Sequence, residues 1–280
     1  MLIADDPPLF AALAALGRDA RMVFFAGLPG TGKSLLIHQL AHLAHARGRR
    51  IHLLQWDVAR PVFEASEAGQ RYPIVGGVTH PIVRKAVGLW SRRALADWQR
   101  RHAGAEHLLI GETPFVGGRL IELARRADDA VEPVLSGSGC RFVIAVPSVA
   151  VRRVVEAERE RRAARPLSAR EREDAPPEVL RALWRELVAV ARRLGVPGAG
   201  DDEAPYDPDV YRLVYERLLR HRHADAVALD TVLATRDLSV YEFAVPRADV
   251  VPDAGAVRVA LSEAEALGAD DVERWWVVGD

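Results

Sequence analysis

Glycines and a single lysine dominate the stretch whose residue types could do chemistry, because Gly27 to Ser34 fits the pattern G-x-x-x-x-G-K-[ST]. Glycines let the backbone turn so that successive N–H groups point into one concavity, and the helix that follows adds its positive end. Lys33 can reach the β- and γ-phosphates of a nucleotide, and Ser34 can offer a hydroxyl to Mg²⁺. The residues expected to bind the nucleotide are Gly27, Leu28, Pro29, Gly30, Thr31, Gly32, Lys33, Ser34 and Leu35.

The flanking residues favour a true phosphate loop over a chance match in a glycine-rich turn. An apolar run at 22–26 predicts a buried strand before the loop, and apolar residues at helical spacing follow it. Lysine is rare in this chain, since Lys33 and Lys85 are its only lysines among 38 basic residues. A lysine inside the motif therefore indicates that a compact point charge is needed there.

This stretch resembles the P-loop NTPase superfamily, and Gly-Leu-Pro-Gly-Thr-Gly-Lys-Ser looks most like its small-molecule kinase branch. The resemblance covers about residues 20–235 and implies ATP and Mg²⁺ as cofactors. It also implies a three-layer α/β/α fold whose five parallel strands have the spatial order 2-3-1-4-5. Five apolar runs alternate with helical patterns and supply those strands, at 22–26, 51–56, 107–111, 141–146 and 226–230.

Composition sets limits on the partners. The formal net charge of −1 gives no global attraction to nucleic acid, so nucleic acid is not the expected partner. The single cysteine, Cys140, excludes an internal disulfide framework and suits the cytoplasm. The acidic N-terminus does not resemble a signal peptide, and no apolar run reaches the ~18 residues of a membrane helix. A cytoplasmic protein with no membrane partner is expected.

The second strand ends at Asp57, at the edge of the sheet where ligands bind in open α/β folds. Asp57 followed by Arg60 resembles the Asp-x-x-Arg placement of adenylylsulfate kinases. There the acid faces the phosphoryl acceptor as base or orienter, and the arginine helps to hold the acceptor. The alternative is an ordinary aspartate N-cap that opens a helix over 58–68.

Glu112 ends the third strand, where an acid can hold Mg²⁺ through water or act as a general base. A strand, an acid, a loop and then Arg119 also resemble the acid-plus-arginine segment of nucleoside and nucleotide kinases. In that family the arginine directly follows the acid, whereas Thr113-Pro114 follows here. Glu112 is expected to be functional, with Ser34, as a metal ligand. Arg119 is expected either to bind the acceptor or to begin a surface helix.

An arginine-rich helix follows the fourth strand, in the place where these kinases carry a lid over the triphosphate, about 148–176. Guanidinium groups suit that task because they bind phosphate oxygens in pairs. Arg153 and Arg159 are the candidates for catalysis. The alternative is a solvent-exposed helix with internal ion pairs, since glutamates are interleaved. The helix carries Arg152, Arg153, Arg159, Arg161, Arg162 and Arg165.

Residues 1–238 are expected to form the kinase-like domain, and 239–280 a C-terminal appendage that packs on it or on a dimer partner. Short strands are predicted in the appendage at 241–245, 257–261 and 275–278. A long helix at 81–102 carries four basic residues that are expected to face solvent unless one contacts substrate. These are Arg84, Lys85, Arg92 and Arg93.

Taken together, the residues predict an ATP- and Mg²⁺-dependent phosphotransferase that acts on a small hydroxylated or phosphorylated acceptor. The rival class is a partner-regulated ATPase or nucleotide switch, for which water is the acceptor. A GTPase is disfavoured because no Asn-Lys-x-Asp occurs, and an AAA-type motor because the chain is short. A nucleic-acid end kinase that uses the arginine-rich lid is the third interpretation, which the net charge weakens.

Overall fold

Six parallel strands form one sheet in the computed structural model, which describes residues 6–164, 177–232 and 245–279. Their order across the sheet is β5-β4-β1-β3-β2-β6. The strands are β1 Met22–Ala26, β2 Arg50–Leu54, β3 His107–Thr113, β4 Cys140–Pro147, β5 Ala224–Leu229 and β6 Arg247–Asp249.

The prediction of five strands is therefore wrong by one, although those five lie in the expected spatial order 2-3-1-4-5. The sixth strand, β6, extends the sheet beyond β2, with His52 opposite Ala248. The N–H of Val250 donates to the carbonyl of Leu53 at 2.8 Å, which continues the pairing past the end of β6. The sequence Arg-Ala-Asp of β6 contains no apolar run, so periodicity does not reveal it.

Helices cover both faces of the sheet. The α-helices are α1 Pro7–Asp19, α2 Lys33–His45, α3 Trp56–Ala65, α4 Pro81–Arg101, α5 Glu132–Leu135, α6 Val149–Ala164, α7 Pro177–Arg193, α8 Pro208–Leu218, α9 Ala254–Glu265 and α10 Ala269–Glu273. Short 3₁₀ turns lie at Gly69–Arg71, Val116–Gly118 and Ile121–Leu123. None of the helices within these described residues is long and apolar enough to span a bilayer.

Strand β1 shows why the sheet has helices on both sides. All five of its residues are buried, and their side chains alternate between two apolar cores. Met22, Phe24 and Ala26 join the core under α3, α4, α7, α8 and α9. Val23 and Phe25 join the core under α1 and α2. A strand buried on both faces is a continuous apolar run rather than an alternating one, as expected for a parallel sheet.

The C-terminal segment differs from its prediction. Residues 257–261, expected as a strand, lie within α9, whose N-cap Asp253 accepts a hydrogen bond from the N–H of Ala256 at 2.8 Å. Residues 275–278, also expected as a strand, form a turn and irregular backbone. Residues 241–244 lie outside the described residues. The segment 245–279 thus adds β6 to the sheet and α9 to its flank, whereas a dimer contact stays a prediction.

Two segments pack on α4 and change the environment of its basic residues. They are α9 and the chain that follows β3. Lys85 and Arg92 were expected to face solvent but are buried. Lys85 forms an ion pair with Glu122 at 3.0 Å, and Arg92 donates to Asp129 at 2.6 Å. Only Arg93 is substantially exposed, and it pairs with Glu263 of α9. The prediction failed because the residue pattern of one helix does not show which other segments of the chain pack on it.

Candidate functional site

The glycine loop, defined here as Gly27–Gly32, connects the end of β1 to the first residue of α2. Gly27, Gly30 and Gly32 have φ of 152°, 76° and 84°, which places each outside the conformations of ordinary L-residues. A Cβ on Gly27 would collide with the Tyr211 hydroxyl and lie 2.7 Å from Thr31 Oγ1. Helix α2 has no side-chain cap at its N-terminus. The first N–H groups of α2 therefore have the arrangement that binds anions.

The backbone of Leu28, in the glycine loop, makes hydrogen bonds with three side chains. Its carbonyl accepts hydrogen bonds from Lys33 Nζ and from Thr31 Oγ1, both at 2.8 Å. Its N–H donates to the hydroxyl of Tyr211 on α8 at 3.2 Å. Lys33 is thereby folded back over the loop and is buried. The arrangement keeps one ammonium group beside the turn that the glycines make.

Two acids stand beside Lys33 because neighbouring strands end there. Strand β3 pairs with both β1 and β2, so its residue Glu112 and the start of α3, with Asp57, reach the same edge as the glycine loop. The backbone N–H groups of Trp56 and Asp57 act on the Glu112 carboxylate and favour its ionised form. Asp57 is exposed at the rim, and Gln55 is the N-cap of α3, so Asp57 does not cap the helix.

Electrostatics couple these three groups. Burial, together with the charge of Asp57, raises the pKa of Glu112 to about 7. Burial also lowers the pKa of Lys33 to about 8, although Glu112 and Asp57 favour its charged form. Both groups therefore titrate within about a unit or so of neutral pH, which is the range in which an acid or base can exchange protons efficiently.

A cluster of three guanidinium groups lies next to Asp57 and is formed by Arg60, Arg84 and Arg119. Burial, and then the charge of Arg84, lower the pKa of Arg119, and Asp57 and Arg60 also act on it. Arg84 donates to the carbonyl of Gly117, and Arg60 lies 3.6 Å from Glu64. The Nε atoms of Arg60 and Arg84 are buried and have no hydrogen-bond partner. Glu186 also acts on Arg84 and Arg119. The guanidinium groups of Arg84 and Arg119 have the donor geometry that binds an anionic group.

The loop that leads to Arg119 has an unusual backbone. Phe115 and Leu120 have φ of 58° and 61°, which L-residues seldom adopt. The Pro114 carbonyl accepts a hydrogen bond from the Tyr215 hydroxyl of α8 at 2.8 Å, and Phe115 is fully buried against that ring. Contacts of this kind hold backbone strain where a functional side chain must be placed. Arg119 does not begin a surface helix, since its backbone is extended.

Helix α6 covers the glycine loop from the other side. A Cβ built on Gly30 would lie 3.2 Å from Val155 and 3.5 Å from the Nε of Arg159. The charge of Arg159 also acts on the pKa of Lys33. Arg153, the other candidate on α6, is exposed. Of the predicted lid, residues 165–176 lie outside the described residues.

Most of the site residues named from sequence meet at this edge of the sheet. Asp57, Glu112, Arg119 and Arg159 all act electrostatically on Lys33. Ser34 and Leu35 are half-buried in the first turn of α2. Arg153 shows no contact with the loop within the described part of the chain. Sequence reasoning missed Tyr211, because no local pattern links α8 to a loop 183 residues earlier.

The donor set also shows what the site could hold. A hydroxyl at Ser34 and a carboxylate at Glu112 are the hard oxygen ligands that Mg²⁺ takes. Burial, and then the charge of Asp57, disfavour the ionised form of Glu112, and a divalent cation beside it would favour that form. The glycine loop and the N-terminus of α2 suit a phosphate.

Comparisons of the chain with protein-family models, with curated proteins and with solved structures gave no match.

Proposed function

We propose that the protein is an ATP- and Mg²⁺-dependent phosphotransferase of the P-loop kinase type, acting on a small acceptor. The observation that carries the proposal is the meeting of Lys33, Asp57 and Glu112 at the end of the glycine loop, where Lys33 and Glu112 act on each other and Asp57 acts on both. The order of the strands β1 to β5, which the resemblance to these kinases implies, supports the proposal as well.

In this proposal each residue either positions a reacting group or stabilises a charge. ATP would supply the phosphoryl group and Mg²⁺ would neutralise charge on its oxygens. Lys33 and the amides of the glycine loop would hold the phosphates, with Ser34 and Glu112 toward the metal. Asp57 or Glu112 would orient the acceptor hydroxyl and take up its proton. Arg159 would screen the charge that develops on the transferred group.

The arginine cluster favours an acceptor that carries an anionic group such as a phosphate. Asp57, Arg60 and Arg84 all act on Arg119, and Arg84 Nε is buried without a hydrogen-bond partner, whereas Arg60 Nε lies 3.6 Å from Glu64 Oε2. A buried donor without a partner destabilises the protein, by about 1–3 kcal/mol, until a ligand supplies the bond.

Transfer of label from γ-labelled ATP tests the proposal. The full chain is incubated with Mg²⁺ and with metabolite pools that anion exchange has divided into anionic and neutral fractions. We expect label in a new small molecule from the anionic fraction, and none with Lys33→Met. Label that appears only as free phosphate, whatever is added, would contradict the kinase and support the partner-regulated ATPase. Label on oligonucleotide ends would support an end kinase.

Helix α6 provides a matched pair of variants for the role of the lid. Arg159→Ala is expected to lower kcat about 10²-fold, because it removes a cation next to the glycine loop. Arg153→Ala, six residues earlier on the exposed side, is expected to stay within about twofold of the wild type. Steady-state rates at saturating ATP measure both. Equal losses of kcat in the two variants would mean that α6 has only a structural role.

A further inference from the structure

Three histidines from β2 and from the connection between α4 and β3 meet at the other end of the sheet. They are His52 in β2, His102 at the C-cap of α4 and His107 at the start of β3. One potential ligand nitrogen from each lies within 4.8 Å of the others. His107 and Glu112 are separated by five residues of one strand, roughly 16 Å at 3.3 Å per residue. The histidine cluster is therefore separate from the glycine loop.

The rings themselves have a close geometry. His52 Nε2 lies 2.9 Å from His107 Nδ1. The ring centroids are 4.4 Å apart for His52 and His102, 4.5 Å for His102 and His107, and 5.1 Å for His52 and His107. On a tetrahedral zinc ion with Zn–N bonds near 2.0 Å, two ligand nitrogens lie about 3.3 Å apart. Small rotations of the three rings would bring them to that separation.

The backbone that carries two of the histidines is fixed by two arginines. Arg21 donates to the carbonyls of His102 and Gly104, and to that of His107 at 2.6 Å. Arg49 also donates to the His107 carbonyl, at 2.8 Å. The connection between α4 and β3 therefore has a defined shape, and a metal would not have to order it.

A carboxylate orients one of the rings. Glu106 Oε1 lies 3.5 Å from His107 Nε2, while Nδ1 of the same ring faces His52. Metal-bound histidines usually donate their other ring N–H to a carboxylate or a carbonyl, which fixes the tautomer. His52 is buried, and its imidazole also contacts the Trp98 ring at 5.4 Å. These contacts suit neutral imidazoles, the form that binds a metal.

We propose that His52, His102 and His107 bind a divalent transition metal of the zinc class, with water in the fourth position. Imidazole nitrogen is a preferred ligand of such metals, and three of them leave one position open. The bound ion would tie β2 to the connection between α4 and β3. The competing interpretation is a metal-free stack of hydrogen-bonded rings, in which Arg21 adds positive charge nearby and a cation would be disfavoured.

A zinc titration distinguishes the metal site from the metal-free stack of rings. The full chain is first treated with a chelator and is then titrated with zinc in a calorimeter against a competing chelator. We expect one Zn²⁺ per chain, and a loss of affinity of at least about tenfold in His102→Gln and in His107→Gln. These two half-buried positions are chosen because the buried His52 contributes to packing. Circular dichroism checks that each variant is folded. Zn²⁺ should also raise the unfolding temperature of the wild type more than that of His102→Gln.

Helix α2 supplies the control. His38 and His42 lie one turn apart, with ring centroids 4.6 Å from each other, in the spacing that also binds metals. The double variant His38→Gln/His42→Gln should leave zinc affinity unchanged. The proposal is overturned if that variant loses the zinc while His102→Gln keeps it. It is also overturned if the wild type binds zinc no more tightly than His102→Gln.

Discussion

Lys33→Met is expected to lower kcat/KM for phosphoryl transfer about 10³-fold, as the loss of a preorganised charge at a transferring phosphate does. Methionine keeps the aliphatic stem that is buried at this position, but it removes the ammonium that donates to the Leu28 carbonyl at 2.8 Å. Affinity for ATP should fall as well. Initial rates and equilibrium binding of a non-hydrolysable ATP analogue measure the two effects separately.

Thermal unfolding provides the control for Lys33→Met. Since burial already disfavours the charged lysine, its replacement should change the unfolding temperature by no more than about 2 °C, which is roughly 1 kcal/mol for a chain of this size. Activity that remains within about threefold of the wild type would exclude Lys33 from phosphate binding. It would also remove the main support for the proposed kinase.

Glu112→Gln is expected to lower kcat/KM by about 10²- to 10⁴-fold, the range for a lost catalytic acid or base. In the wild type, kcat/KM should rise as the pH increases through about 7, because the Glu112 carboxyl must ionise. It should fall above about 8, because Lys33 must stay protonated. The profile is thus a narrow bell, and the residual activity of Glu112→Gln should lack its acid limb.

Asp57→Asn tests the electrostatic origin of that limb. The charge of Asp57 raises the pKa of Glu112, so its removal should move the acid limb to lower pH. Mg²⁺-dependent binding of an ATP analogue, measured between pH 5 and pH 9 with about half-unit steps, gives this result even if Asp57→Asn is inactive. An unchanged acid limb would mean that the limb belongs to another group.

The glycine loop and its strand could be predicted because their signals are local. Five apolar residues, three glycines, one lysine and a helical pattern follow one another within 22–45, and β1 begins and ends as expected. Glu112 and Asp57 could be placed near the loop because parallel strands bring their carboxyl ends to one edge. The strand order followed from the resemblance and is confirmed for the strands β1 to β5.

Other parts depend on contacts that no local pattern contains. The alternation of Val257, Val259 and Leu261 suggests a strand, yet Val257 and Leu261 also share one face of a helix, and packing against α4 decides the outcome. Lys85 and Arg92 are covered by the segment after β3, which supplies Glu122, Asp129 and Glu132 and which the pattern of α4 alone does not reveal. Tyr211 and the three converging histidines were likewise not predictable, because the fold alone brings them to their partners.

The place of β6 at the edge of the sheet has a consequence for biosynthesis. Strand β2 and its partner β6 are separated by about 200 residues, which a ribosome adds in roughly 10–40 s at 5–20 residues per second. During that time the outer edge of β2 and the α4 surface that α9 covers are exposed on the nascent chain. Open strand edges pair with other chains. Until β6 and α9 have been synthesised, we therefore expect this edge and this surface to be open to contacts with other chains.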